Sequence, residues 1–262
     1  MLCEGTIDDY GAELFRNLRD RTTSRPLTAR EPGITIDDAY HISRRILALR
    51  EAEGEVLVGK KIGVTSPAVQ NMLGVLQPDF GYLTDRMRFA PGQSLPASSR
   101  LIQPRAEGEL AFALARDLPG AGVTEDDVLR ATEWIAPCFE IVDSRIRDWN
   151  IAIQDTVADN ASSGVFVVSE ERVDPRGLDL PGLKMRVAKN GAPLSQGVGA
   201  AALGNPLTCV AWLANTLGRF GIPLLAGEVI LSGSWVPLEA VAPGDRMDMT
   251  IDGVGSLAVV FE

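Results

Sequence analysis

Apolar positions recur at helical spacing through the first fifty residues and then give way to short alternating runs. Ile7, Tyr10, Gly11, Leu14, Phe15 and Leu18 fall on one helical stripe, and residues 19–26, ending at Pro26, break it. A second helix is predicted from Thr35 to about Gly54. Thr35 suits the N-cap, and Asp37 and Asp38 sit in the first turn, where the helix dipole favours acids. From Val56 the texture is β-like, with strands predicted over 57–66, 77–83, 104–114 and 138–146. Between them fall a short helical piece from Pro67 to Leu73 and a Thr124-capped helix reaching toward Pro137. Residues 148–163 read as a polar loop leading into a strand, and the remainder as strand-turn-strand with one helix at 206–220. The pattern divides the chain into a small helical N-terminal subdomain (1–55) and a β-rich domain (56–262).

The most informative stretch is PRAEGELAFAL, residues 104–114. Side chains alternate faces along a strand, so Glu107 and Glu109 point the same way, roughly 7 Å apart. Ala111 and Ala113 continue that face without bulk, and Gly108, Leu110, Phe112 and Leu114 take the packing face. Two like charges this close need a partner, and a divalent cation is the simplest one; a solvated edge strand carrying two acids is the alternative. Glu140, set between Phe139 and Ile141 in an otherwise apolar run, is a third acid able to join them. In the 57–66 strand, Lys61 shares its face with Gly59, Gly63 and Thr65, a small-residue floor suited to a lysine that touches a ligand; the alternative is two surface lysines on an edge strand. Asp79 lies in a Pro-Asp-x-Gly sequence that is equally turn chemistry.

Composition narrows the chemistry. The one histidine, His41, falls in the second helix and reads as a helix-surface or packing residue, so acid-base work falls to carboxylates, lysine and metal-bound water. Three glutamates with no His or Cys make an all-oxygen site, which suits Mg²⁺ or Mn²⁺ over Zn²⁺ or Cu²⁺. Such a site fits a metal-assisted reaction on a small oxygen-rich anion. A net charge of -10 leaves no basic stripe for nucleic acid or an anionic membrane. Without a long apolar run or a basic leader, the chain is expected in the cytoplasm. Cys3, Cys138 and Cys209 are too few and too scattered for a disulfide framework or a cysteine zinc site. Residues 197–202 fit a loose GxGxxA pattern but lack the preceding strand that nucleotide binding needs, and Ser232 and Ser234 have no base to activate them.

Residues 59–85 (GKKIGVTSPAVQNMLGVLQPDFGYLTD), 101–112 (LIQPRAEGELAF), 137–149 (PCFEIVDSRIRDW), 154–164 (QDTVADNASSG) and 226–245 together resemble the hydratase/decarboxylase family of the fumarylacetoacetate hydrolase superfamily. The likeness spans nearly the whole chain. It implies an α+β fold: a mixed β-roll or sandwich core with a small helical N-terminal part, assembled as a homo-oligomer. It implies that Glu107, Glu109 and Glu140 ligate Mg²⁺ or Mn²⁺, that Lys61 and Asp79 form the catalytic polar pair, and that Ser162 and Lys61 line the substrate pocket. The wording of KKIGVTS and of VQNMLGVLQPDFG points to the hydratase branch, which adds water to 2-hydroxypenta-2,4-dienoate. A longer-tailed dienoate, or decarboxylation of 2-oxo-3-hexenedioate by the sister branch, is the alternative. A complex with 4-oxalocrotonate decarboxylase is a further expectation of the resemblance.

Overall fold

The computed structural model describes residues 1–66, 70 and 77–262; the helix expected from Pro67 to Leu73 lies outside the described residues except for Gln70. Two antiparallel-sequence helices open the chain, α1 (Glu4–Asp20) and α2 (Ile36–Ala52). Thr35 caps α2 in a full capping box with Asp38, which satisfies donors that a helix start leaves orphaned. His41 is exposed on α2.

The large sheet is built from β1 (Leu57–Gly63), β2 (Asp79–Thr84), β3 (Arg88–Phe89), β4 (Arg105–Leu114), β5 (Thr132–Val142), β6 (Ser163–Val168), β9 (Val229–Leu231) and β10 (Glu239–Ala240). Its order is β2-β1-β9-β4-β5-β6-β3, with β10 beside β4. A second sheet, ordered β12-β11-β7-β8, comprises β7 (Lys184–Lys189), β8 (Ala192–Val198), β11 (Arg246–Ile251) and β12 (Gly255–Val260).

The two faces of the large sheet differ. One carries Ile62, Phe80, Leu110, Phe112, Phe139, Ile141, Val165 and Val167 into the main core, together with residues of the helices and of the second sheet. Gly108 is part of that contact, because a Cβ there would meet Met185 Sδ at 2.7 Å. The opposite face carries a smaller cluster: Leu83, Ala111, Ala136, Cys138, Phe166, Val168, Val229 and Leu231. These residues come from β2 through β6, five strand steps that would span about 24 Å in a flat sheet. β2 and β6 nevertheless touch, so the sheet curls and this face becomes the inside of a roll.

Two segments differ from the sequence expectation. The helix after Thr124, α4, stops at Ala131, and Thr132–Val142 is all strand; Thr132, Trp134 and Ile135 are β-formers, and cross-strand pairing with β4 overrides the helical pattern. Pro137 is tolerated in this central strand because its carbonyl accepts from Ser169 just past the end of β6, where no ladder donor is missed. The segment after Trp149 is a buried helix, α5 (Ile153–Ala158), followed by a 3-10 turn at Asn160–Ser162, and not a polar loop. Its acids are paired: Asp155 accepts from Thr28, and Asp159 from Arg145. The last helix, α6, runs Pro206–Gly218; α3 is the single turn Ala97–Arg100.

Candidate metal centre and catalytic pair

Strand register assembles the acids. Glu107 stands directly opposite Glu140 across the β4–β5 ladder, and Glu109 is opposite Cys138. One carboxylate oxygen from each of Glu107, Glu109 and Glu140 lies within 4.8 Å of the others. Glu109 and Glu140 are wholly buried, and Glu107 keeps some exposure. Two of the acids are also held from behind: Gly233 N donates to Glu109 Oε2 at 2.8 Å, and Ser163 Oγ donates to Glu140 Oε1 at 2.9 Å.

The candidate polar pair, Lys61 and Asp79, comes from the other side of β9. Gly63 faces Asp79 and Lys61 faces Gly81 across β1–β2, so both polar side chains enter the roll. Lys61 Nζ lies 3.3 Å from Glu140 Oε2. Gly63 is required here, since a Cβ would sit 2.4 Å from Asp79 Oδ1 and 3.0 Å from Lys61 Nζ.

The electrostatics describe a site short of positive charge. Burial pushes Glu107, Glu109, Glu140 and Asp79 upward, Glu140 to about 7 and Glu109 well above the ordinary glutamate range. For Glu109 the neighbouring Glu140 and Glu107 add to that rise. Burial alone would lower Lys61, but Glu140, Asp79, Glu107 and Glu109 outweigh it and hold the ammonium charged. Among the described residues, Glu109 Oε1 and Asp79 Oδ1 are buried without a hydrogen-bond partner, and Glu140 Oε2 has only the Lys61 charge. Orphaned carboxylate oxygens converging from three strands fit a hard divalent cation.

Ser162 sits at one remove from the acids, its Oγ 3.3 Å from Thr156 Oγ1 and 3.5 Å from Asp159. Thr156 in turn bonds Asp79. The turn that delivers these serines is unusual: Asn160, Ala161 and Ser162 all have positive φ. Left-handed backbone at three successive non-glycine residues is strained and has to be pinned. Asn160 does so by exchanging two bonds with the Tyr82 backbone, and Arg145 by gripping Asp159.

The model of the fumarylacetoacetate (FAA) hydrolase C-terminal region matches residues 65–262. The chain belongs to the fumarylacetoacetate hydrolase family. Within that family it is 58% identical to a 2-hydroxyhexa-2,4-dienoate hydratase of Comamonas testosteroni, over 97% of both chains. It is 62% identical to a 2-hydroxypent-2,4-dienoate hydratase of Pseudomonas putida, over 82% of this chain and 97% of that one. Among solved structures, 4-oxalocrotonate decarboxylase from Pseudomonas putida G7, complexed with magnesium and adipate, superposes with a TM-score of 0.96. Its identity is 32%, and the match covers 100% of this chain and 99% of that one. The α+β roll with an N-terminal helical region is therefore the family fold.

Several residues of this candidate site escape a reading of motifs alone. Ser163, not Ser162, reaches a candidate ligand; the serines are adjacent, and only the bulge between Ile141 and Val142 decides which one faces Glu140. Gly233 carries no site signal in the sequence, yet its backbone N–H, at a positive φ, donates to Glu109. Thr156 carried no signal, because its segment looked like loop. The discounted GxGxxA glycines are close-packing residues: a Cβ on Gly197 or Gly199 would lie 2.0 Å from the carbonyl oxygen of Trp235 or Leu180.

Proposed function

We propose that this chain is a divalent-metal-dependent hydro-lyase that adds water to 2-hydroxypenta-2,4-dienoate, giving 4-hydroxy-2-oxopentanoate. The observation that carries the reading is the convergence of Glu107, Glu109 and Glu140, with oxygens left unpartnered, beside Lys61 and Asp79 on one enclosed face. The names of the relatives, hydratases of five- and six-carbon dienoates, point to the same reaction.

The three glutamates would hold Mg²⁺ or Mn²⁺, and the bound ion supplies Lewis-acid polarisation of the substrate's 2-oxygen. Lys61, kept charged by its acidic surroundings, binds the substrate carboxylate and neutralises charge developing nearby. Ketonisation of the dienol places a proton on C5 and makes C4 electrophilic. Asp79, with one free oxygen beside Lys61, orients water toward C4 and takes its proton, and C3 accepts a proton as the resulting enolate returns to the 2-oxo form. Thr156 and Ser162 fix the Asp79 carboxyl from behind. The enclosing apolar wall, with Ala111, Ala136, Phe166 and Leu231, excludes bulk water and strengthens each of these interactions.

The same wall argues against the decarboxylase reading. A dicarboxylate needs a second cation, and Lys61 is the one cation acting on the three glutamates among the described residues. The other nearby buried cations, Lys60 and Arg145, are paired with Glu228 and Asp159. A homo-oligomer acting in the cytoplasm, in complex with 4-oxalocrotonate decarboxylase, completes the reading.

Chelator-stripped protein should leave the conjugated chromophore of 2-hydroxypenta-2,4-dienoate intact and consume it when Mg²⁺ or Mn²⁺ is added, with 4-hydroxy-2-oxopentanoate as product. Release of carbon dioxide from 2-oxo-3-hexenedioate without dienoate turnover would replace the hydratase by the decarboxylase. Turnover of the six-carbon dienoate alone would lengthen the substrate.

A further inference from the structure

A cavity of ≈ 270 Å³ opens beside the start of β6, away from the three glutamates and Lys61. Five arginines line it, Arg19, Arg21, Arg50, Arg86 and Arg100, against a single acid, Glu55. In a chain of net charge -10 this is a concentrated inversion of sign. The arginines are only partly neutralised. Glu55 pairs with Arg50 at 2.9 Å, and Arg19 has Glu53 at 3.1 Å on the rim. Arg21, Arg86 and Arg100 have their recorded bonds to backbone carbonyls, of Ser98, Glu53 and Arg86, which orient a guanidinium without cancelling its charge.

Arg50 is the decisive residue. It is 4% exposed, and its Nε is buried with no hydrogen-bond partner among the described residues. A buried guanidinium ordinarily has its donors met, so the unmet one adds to the cost of holding the Arg50 charge at the cavity wall. The group is under electrostatic stress as well. Burial lowers Arg50, and Arg145 and Arg100 push it further down against the pull of Glu55; burial likewise lowers Arg100, with Arg19 and Arg86 adding to it. Mutual repulsion of this kind is relieved by an anion.

We infer that this cavity is a binding site for a small multivalent oxyanion, recognised by the guanidinium forks of Arg50, Arg86 and Arg100. Planar forks match the paired oxygens of phosphate or carboxylate groups, and several of them around one half-open cavity select for more than one negative charge. The 2-hydroxydienoate carries a single carboxylate, so the ligand is a different molecule from the substrate.

The test is calorimetric titration of metal-loaded protein with inorganic phosphate and, separately, with succinate, each against chloride at equal ionic strength. One-to-one saturable binding of either is expected, and the stronger arm distinguishes a phosphate-bearing ligand from a dicarboxylate. R86Q/R100Q should weaken it tenfold or more while dienoate turnover and melting temperature stay close to wild type. K61A should leave it unchanged. Absence of binding in both arms would overturn the inference. So would binding that survives R86Q/R100Q and is lost in K61A, which would place the anion at the metal centre. Wild-type protein that ignores both anions, with an R86Q/R100Q variant that falls apart on sedimentation, would assign the arginines to a contact between copies of the chain.

Discussion

Lys60 and Lys61 are neighbours in sequence, both buried, and each ion-paired with a glutamate, yet they stand on opposite faces of β1 and in opposite situations. Lys60 reaches both oxygens of Glu228, at 2.5 and 2.6 Å, and Glu228 also accepts from Leu225 N. The pair is closed: one charge against one charge, with the acceptor satisfied. Burial nonetheless lowers Lys60, with Glu228 opposing. Lys61 meets four carboxylates, is raised by them against its own burial, and leaves oxygens around it without partners. A buried charge alone is therefore no sign of chemistry. An unbalanced group of charges with unmet acceptors is.

The largest expected difference between the two is in turnover. Lys61→Met should cut kcat/KM by about 10³-fold or more, in the range that electrostatic groups contribute. Glu109→Gln should do the same while weakening Mg²⁺ or Mn²⁺ affinity at least ~100-fold by calorimetry. Glu109→Gln should not lower the melting temperature of metal-free protein by more than a few degrees, because it removes a charge that burial and its acidic neighbours already disfavour. Lys60→Met should reverse the pattern: kcat near wild type, and a loss of about 3–5 kcal/mol in denaturant unfolding from leaving Glu228 buried and unpaired. A Lys60→Met/Glu228→Leu protein should recover much of that loss. If Lys60→Met abolished turnover in folded protein, the division between the two faces would fail.

The smallest effect is on pH dependence. In metal-free protein Glu140 rises to about 7, chiefly through burial, so the folded state holds its proton more tightly than the unfolded chain does. Its contribution to stability is complete below the ordinary glutamate range and is lost as pH climbs through about 7. Melting temperature of stripped protein should fall across that window, and added Mg²⁺ should flatten the slope.

How far this was legible in sequence follows from the same geometry. Alternation along β4 placed Glu107 and Glu109 on one face, and the apolar run around Glu140 marked it as exceptional; both are local facts. The side of β1 on which each lysine falls was also readable by counting. That Glu228 would meet Lys60 was not, since 168 residues separate them. Residues 148–163 misled because Asp155 and Asp159 look like solvent-facing loop until Thr28 and Arg145, distant in sequence or turned inward, are seen to pair with them. The helix predicted through Ile135 failed for the usual reason that strand pairing outweighs local preference.

The three-residue strand β9 has a consequence for how the molecule comes into being. It lies between β1 and β4, parallel to one and antiparallel to the other, so it alone in the ladder joins the Lys61–Asp79 side to the glutamate side. All five polar side chains are synthesised by residue 140, yet the strand that brings them together begins at Val229. A nascent chain thus carries the complete set of chemical groups for some ninety residues of synthesis without a place to use them. The three glutamates can meet through the β4–β5 ladder alone, but the Lys61–Asp79 side joins them only when Val229–Leu231 arrives.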